Sequence, residues 1–521
     1  MVDMFPLPNS VEEQIAFARL QSKLPDLFHW VSNDNRVEQT ILVIPSLSMD
    51  PRELIKISGV HHYEERMLYM LMLLRRARTR VVFVTSQALH PTVVDYYLHL
   101  LSGIPSSHAK RRLTLFDCAD SSSLPLSQKI LNRPRLMNRL RRVIGDTNRA
   151  HMVCFNSTAM ERTLSVQLGI PLYANDPKLN NLGTKSGCRE IFRNAGILFP
   201  DGFERLHEED DIAEALSTLL SRHPNAKRAV VKLNDGFSGE GNALFYFDDC
   251  KGIDAIEQKK KIKDKLHTLR FEAPTEHWES FRQKYKEMGG VVEMFVEGKV
   301  KYSPSSQCRV NAIGKPVSIS THDQVLGGPS GQVFIGCTFP ADASYRLEIQ
   351  DAGMAVAKEL SNLGVMGRFA TDFVSVPREN GGFDHYAIEV NLRKGGTTHP
   401  FLTLRFLTDG AYDSDTGEFY AQDERPRCYF ASDTLQSPKY QGLSPDDLID
   451  IAVYNGLHYH PSTERGTVFH LMGALSEFGK LGMVCIGDNL QQARFLYNKA
   501  EDVLNREVSK QIEVHDSGPK Q

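Results

Sequence analysis

The chain has 521 residues, 41% hydrophobic and 24% charged, and its 61 basic side chains nearly balance 64 acidic ones for a formal net charge of −3. This is a globular composition with apolar material for two or three cores, and near neutrality leaves no global field to draw nucleic acid or an anionic membrane as a partner. Eight scattered cysteines without C-x-x-C spacing, no basic-then-apolar leader in MVDMFPLPNSVEEQ, and a longest apolar run of only Met67 to Leu74 lead to the expectation of a cytoplasmic protein with free thiols and no bilayer span.

Residues 41 to about 165 alternate short β-branched runs with helical patterns. ILVIP at 41–45 is followed by a helical stretch through Tyr63 to Arg75, then RVVFVTS at 80–86, a helix at Val93 to Leu101, LTLF at 113–116 and HMVCF at 151–155. That rhythm predicts β-α-β units and a parallel sheet, with PLYA at 171–174 as a closing strand. No G-x-G-x-x-G follows the first strand, so a dinucleotide domain is not expected. NRPRLMNRLRR at 132–142 has an apolar stripe of Leu136, Leu140 and Val143, and reads as a solvated helix face rather than an anion site.

From about 180 the texture changes. Thr184 precedes a helix stopped by Gly196, a second helix starts among Glu208 to Asp211, and a strand at Arg228 to Leu233 leads through NDGFSGEGN to another at Ala243 to Phe247. A charged run from Asp254 to Lys286 reads as one long exposed helix. Strands return at 291–298, 308–314 and 316–320, then LGGPSGQVFIG at 326–336 reads as a mobile flap or a plain surface loop, and a helix spans Leu347 to Leu363. DGAYDSDTGEFYAQDERPR reads as a linker; after it Ser444 caps a helix, VFHLMGAL and GMVCIGD read as strands, and Leu490 to Val508 as an amphipathic helix. The expected domains are 1–170, 171–410 and 441–521, with 411–440 as the linker.

GVMGRFATDFVSVPRENGGFDHYAIEVNLRKGGTTHP carries the strongest chemical signal. Period-2 alternation sends Glu389 and Asn391 to one face of their strand, and a hairpin through Asn380, Gly381 and Gly382 can bring Asp372 beside them. Three hard oxygen donors suit magnesium shared with nucleotide phosphates; solvated groups at strand ends are the alternative. Upstream, Lys232 ends a strand and is followed by Gly236, Ser238, Gly239 and Gly241, whose loop can turn backbone N–H groups toward phosphate, or can be a plain hairpin tip. Lys185 sits where a helix dipole is positive, a placement that calls for an anion. Glu293, Met294, Phe295 and Val296 form an extended segment able to clamp an adenine, or an edge strand with solvated acids. His399 stands beside the site in TTHP, and the pairs His61-His62 and His458-x-His460 lack a third metal ligand.

In that order these elements resemble the ATP-grasp superfamily from Lys185 to Thr398. The resemblance implies ATP held between two subdomains, Lys185 and Lys232 on its phosphates, the glycine loop closing over them, Glu293 to Val296 along the adenine, and Mg2+ on Asp372, Glu389 and Asn391. It also implies Arg368 and Arg393 as neutralisers of the transferred phosphoryl group or of the acceptor carboxylate; His399, by its place in TTHP, either binds the carboxylate or receives the amine's proton, or simply packs against the turn before Pro400. The acid that many members place two residues past the hinge glycine is here Val300, which leaves the ribose without a partner.

More narrowly, NLRKGGTTHP, STHDQVLGG, YEER at 63–66 and GTVFHLMGAL are similar to the pheganomycin-type peptide ligases. That likeness implies α/β and α+β architecture: a pre-ATP-grasp parallel-sheet domain, a grasp domain of two subdomains and a small C-terminal α+β domain. It implies an ADP-forming carbon–nitrogen ligase acting on a small carboxylic acid and an amine or peptide in natural-product biosynthesis; the oligomeric state stays open between a monomer and a homodimer, since grasp enzymes often pair. The competing readings are a phosphotransferase of the same superfamily and a non-catalytic ATP-binding protein.

Overall fold

A computed structural model describes residues 5–34, 36–236, 241–327 and 333–516. Its first sheet has four parallel strands, β1 (Gln39–Ile44), β2 (Thr79–Thr85), β3 (Leu113–Asp117) and β4 (Ala150–Cys154), in the order β3-β2-β1-β4. Every residue of β1 is buried, as a parallel strand covered on both faces must be. One face packs Leu42, Ile44, Val82 and Val84 against Phe17, Leu136, Leu140 and Leu164 from flanking helices. On the other face Ile41, Val43, Val81 and Phe83 share a core with Phe401, Leu404, Tyr429 and Met483 from much later in the chain. The first and last parts of the protein are therefore one packed body. PLYA adds no full strand; only Leu172 bridges to Met152.

Val60–Arg75 winds as a 3-10 helix. With three residues per turn, side chains three apart align in rows. Leu68, Leu71 and Leu74 form one such row and are fully buried. Tyr63, Arg66 and Tyr69 form another, so the helix type decides which groups face the later domains.

A second, antiparallel sheet contains β5 (Gly202–Leu206), β6 (Arg228–Leu233), β7 (Asn242–Tyr246), β8 (Arg270–Phe271) and β9 (Gly290–Met294), ordered β5-β9-β6-β7-β8. It has its own core, in which Ile212, Leu216 and Leu219 meet Val231, Phe245 and Ile262. The charged run expected as one helix is two, Ala255–Lys265 and Trp278–Met288, with β8 between them. Pro274, which lacks an amide N–H and restricts the residue before it, lies in the break.

The third sheet contains β10 (Pro304–Val310), β11 (Pro316–Gly327), β12 (Val333–Phe339), β13 (Gly367–Pro377) and β14 (Phe383–Asn391). After the small hairpin of β15 (Ala411–Asp413) and β16 (Glu418–Tyr420) it continues through β17 (Cys428–Gln436), β18 (Gly466–His470) and β19 (Lys480–Gly487). Its order is β14-β13-β10-β11-β12-β17-β19-β18. The segment read as a linker thus supplies a hairpin and, in β17, a strand that joins β12 to β19. Five consecutive buried positions in β17, covered on both faces, hide the period-2 pattern that would have announced it. Among the described residues no helix is long and apolar enough to cross a membrane.

Candidate active site

A cleft of about 1430 Å³ opens between the second and third sheets and reaches the ends of β1 and β4, where Leu47 and Phe155 line it. Carboxyl ends of parallel strands are where open α/β sheets place ligands. Lys185, Lys232, Gly236, Gly241, Glu293, Met294, Phe295, Val296, Asp372, Glu389, Asn391 and Arg393 all border this one space. Ser238 and Gly239 lie outside the described residues.

Thr184 caps the helix Lys185–Ala195 by accepting from the Gly187 amide. From the first position of that helix Lys185 reaches across to Glu389, with Nζ 2.6 Å from Oε1. Burial works against its charge, and Glu389 more than offsets this, so the Lys185 ammonium is held above the usual lysine range. Asn234, in the turn after β6, accepts from the Lys185 amide through its backbone oxygen at 3.1 Å and from the Ser186 amide through Oδ1 at 3.0 Å. The turn that follows Lys232 thus fixes the start of the Lys185 helix. Sequence reasoning passed over Asn234, although an Asn two residues beyond the strand lysine is the available signal.

Lys232 is buried and lies 2.5 Å from Oε2 of Glu293, whose Oε1 receives Nη1 of Arg189 at 2.8 Å. Burial would raise the Glu293 carboxyl, but Lys232 and Arg189 together hold it below its ordinary range. Glu293 is therefore engaged inward by two cations rather than presented as a free acceptor for an adenine amine. Phe295 faces the cleft with Arg228 3.8 Å and Lys301 4.4 Å from its ring centre. Val300, in the place expected for a ribose-binding acid, is exposed.

On β13 and β14, Asp372 stands directly opposite Glu389, and Ala370 opposite Asn391. Oδ1 of Asp372 accepts from Ser305 at 2.6 Å and Oδ2 from Nδ2 of Asn391 at 2.9 Å. Burial first, and then the Glu389 charge, push the Asp372 carboxyl up to about 6. Facing carboxylates cost stability unless something cationic lies between them. Two acids and an amide, all oxygen donors, fit a hard divalent cation that keeps positions free for phosphate.

Arg368 and His399 are not brought to the cleft wall. Four residues before Asp372 on β13, Arg368 pairs across the sheet with Arg309, and burial followed by the Arg309 charge lowers it to about 10. Its Nη1 is buried without a hydrogen-bond partner. His399 is buried behind the wall, its ring centre 4.1 Å from that of His470, and burial keeps it neutral by pushing its pKa far below the histidine range. A group so placed is a poor proton acceptor near pH 7.

The cleft continues past Arg393 into groups that sequence reasoning did not gather. Nη1 of Arg66 lies 2.9 Å from Oδ2 of Asp433 on β17, and Nε2 of His470 on β18 lies 2.6 Å from Oδ1 of the same carboxylate. Burial alone would raise Asp433; the His470 hydrogen bond and Arg66 instead hold it well below the carboxylate range. Tyr63, Arg66, Asp433 and Lys480 all line this end. The quoted segments YEER and GTVFHLMGAL supply Tyr63, Arg66 and His470, and nothing local pairs them.

Comparison with known proteins follows the same division. A family described as IQCH-like, ATP-grasp matches residues 177–272, and one described as PGM1 C-terminal domain matches residues 447–500. The L-propargylglycine–L-glutamate ligase of Streptantibioticus cattleyicolor is 30% identical over 473 residues, covering 89% of this chain and 94% of the relative. IQ motif-containing protein H of Danio rerio is 22% identical over 529 residues, covering 91% of this chain but 49% of its own length. The fold is shared with biotin carboxylase from Campylobacter jejuni, solved as a β,γ-ATP complex, at a TM-score of 0.53 and 10% identity over 92% of this chain and 97% of that one.

Proposed function

The chain belongs to the ATP-grasp carboxylate–amine ligases, ADP-forming enzymes that make a carbon–nitrogen bond, and on that premise we propose that it joins the carboxylate of a small acid or amino acid to the amine of an amino acid or peptide. The observation that carries this reading is the single cleft shared by Lys185, Lys232, Asp372, Glu389, Asn391 and Arg393. Its volume of about 1430 Å³ exceeds the roughly 300–1,000 Å³ of an ordinary small-molecule pocket, which leaves room for a second substrate beside a nucleotide. The relative named for two amino acids supports partners of that size, and we infer a natural-product setting from the same likeness.

In the first step an oxygen of the donor carboxylate attacks the γ-phosphorus, and the bond to the β-phosphate oxygen breaks with its electron pair leaving on ADP. In the second the amine nitrogen attacks the acyl carbon, and the phosphate departs with the bonding pair and takes up the amine's proton. No protein nucleophile is needed, so the work is positioning and charge neutralisation. Lys185 and Lys232 are suited to the phosphates once those displace the carboxylates the lysines hold, and Arg393 to the developing oxyanion. Mg2+ bound by Asp372, Glu389 and Asn391 supplies further screening of phosphate charge.

Incubating the purified chain with Mg-ATP and pools of amino acids, small acids and peptides, followed by mass spectrometry, tests the reading. It expects an amide whose mass is the two substrates less water, and ADP release that requires both. ADP release independent of acid and amine, or none with any pool, overturns it.

A further inference from the structure

We propose that the end of the cleft where the first, middle and last parts of the chain meet binds a free carboxylate on the amine-bearing substrate, with Lys480 as the cation that selects it. This rests on the ligase reading above. It assigns a role to the C-terminal strands, which the phosphate and metal groups do not require.

Among the described residues, the ion pairs at this end leave Lys480 without a carboxylate. Asp433 is used by both neighbours: one oxygen meets Arg66 and the other His470. Lys480, at the start of β19, is 8% exposed, and its Nζ lies 4.9 Å from the ring centre of Tyr63. Among the described residues no carboxylate pairs with it, yet it lines the cleft. Its stem is buried while its ammonium, beside the Tyr63 ring, lines the cleft, so an anion entering there meets a charge that no carboxylate among the described residues neutralises. Arg66 is pre-set for the same anion, because Asp433 pins its fork from behind and the Tyr63 and Phe155 rings sit 4.4 and 5.1 Å from its guanidinium.

The order of charges assigns the anion to the second substrate. Arg393 follows Asn391 by two residues, and the next residue, Lys394, donates its amide to the Phe155 carbonyl at 3.2 Å, while the Phe155 ring lies 5.1 Å from the Arg66 guanidinium, so Arg393 stands where the chain passes from the metal-side strand to the junction. The carboxylate to be phosphorylated must lie on the acid side, next to the transferred phosphorus. A substrate entering from the junction points its amine toward Arg393 and leaves its own carboxylate at Arg66 and Lys480. Ammonium and guanidinium donors form charge-assisted bonds to such a group, and an uncharged amide in its place forfeits most of that gain.

The test uses the full chain with Mg-ATP and the donor acid found above. Acceptors are the common L-amino acids, their carboxamides, and hydroxylamine, which traps the acyl phosphate as a hydroxamate without needing a carboxylate site. The wild type is expected to favour acids over amides, and Lys480→Met to raise the acceptor KM by about tenfold or more and lower the ratio of amide product to hydroxamate, with preference for acids regained in Lys480→Arg. Hydroxamate formation with an unchanged acceptor KM and preference in Lys480→Met, or a rise in the ATP KM instead, overturns the assignment. Failure of the wild type to form an amide or a hydroxamate with any donor acid removes the ligase reading and this subsite with it. Thermal melts of each variant separate loss of binding from loss of fold.

Discussion

Arg66 and Asp433 are 367 positions apart in the chain and 2.9 Å apart in the structure, and their contact ties the 3-10 helix of the first domain to β17 of the third sheet. Because both side chains are largely buried, the pair is a fastening whose halves depend on each other. Removing one partner of such a pair leaves an uncompensated charge.

Asp433→Ala is therefore expected to destabilise the protein by about 3–5 kcal/mol, since it strands Arg66 and deprives His470 of its acceptor. Urea unfolding of Asp433→Ala, Arg66→Ala and the double variant checks this. The double variant should lose less than the sum of the singles, and strict additivity would mean that the contact contributes nothing.

Glu389→Gln and Asp372→Asn are each expected to reduce ADP release by about two orders of magnitude or more, while circular dichroism stays that of the wild type. Both changes keep the shape of the side chain and remove the charge that a metal and Lys185 require. Near-normal turnover in either variant would end the metal assignment.

Glu293→Gln removes the carboxylate that Lys232 meets and one of the two that hold Arg189, which keeps Glu204 at 3.0 Å. A buried Lys232 without its carboxylate should lower stability by about 3 kcal/mol, and its displacement should weaken the rise in melting temperature expected of the wild type with ATP. An unaltered nucleotide-induced shift would detach Glu293 from the proposed phosphate contact of Lys232.

Glu64 provides a pH signature remote from the proposed metal site. Its carboxylate accepts from the Ser86 amide and hydroxyl, both at 2.6 Å, yet burial pushes it up to about 7. A raised carboxyl binds its proton more tightly folded than unfolded, so its contribution to stability is complete below the unfolded value of about 4.5 and disappears as pH rises through about 7. The difference amounts to about 3 kcal/mol. Glu64→Gln mimics the protonated form, and its melting temperature should match the wild type near pH 4.5 and exceed it at pH 8. Parallel curves across that range would contradict the assignment.

Much of the arrangement of Lys185, Asp372, Glu389 and Asn391 was legible because its signals are local. Strand alternation puts Glu389 and Asn391 on one face, a glycine-bearing turn returns Asp372 opposite, and the misfit of Lys185 at a positive helix end resolves into its contact with Glu389. Glu293 was visible as a residue type, but the face it uses depends on Arg189 arriving from a helix of another layer. Arg368 shares the alternation of Asp372, yet lies four residues along the same strand, where distance rather than face removes it from the cleft.

What the residues determine alone is periodicity: which side chains share a face, where helices start and stop, and that basic, acidic and glycine elements follow one another in a given order. Which faces then meet is decided by burial. A shared apolar core draws Tyr69 and Val43 together with Tyr429 and Met483, and only that packing aligns Arg66 with Asp433 and leaves Lys480, among the described residues, without a partner carboxylate. Such contacts span hundreds of residues, and no local pattern encodes them, because the free energy that forms them belongs to the whole interface rather than to any one segment.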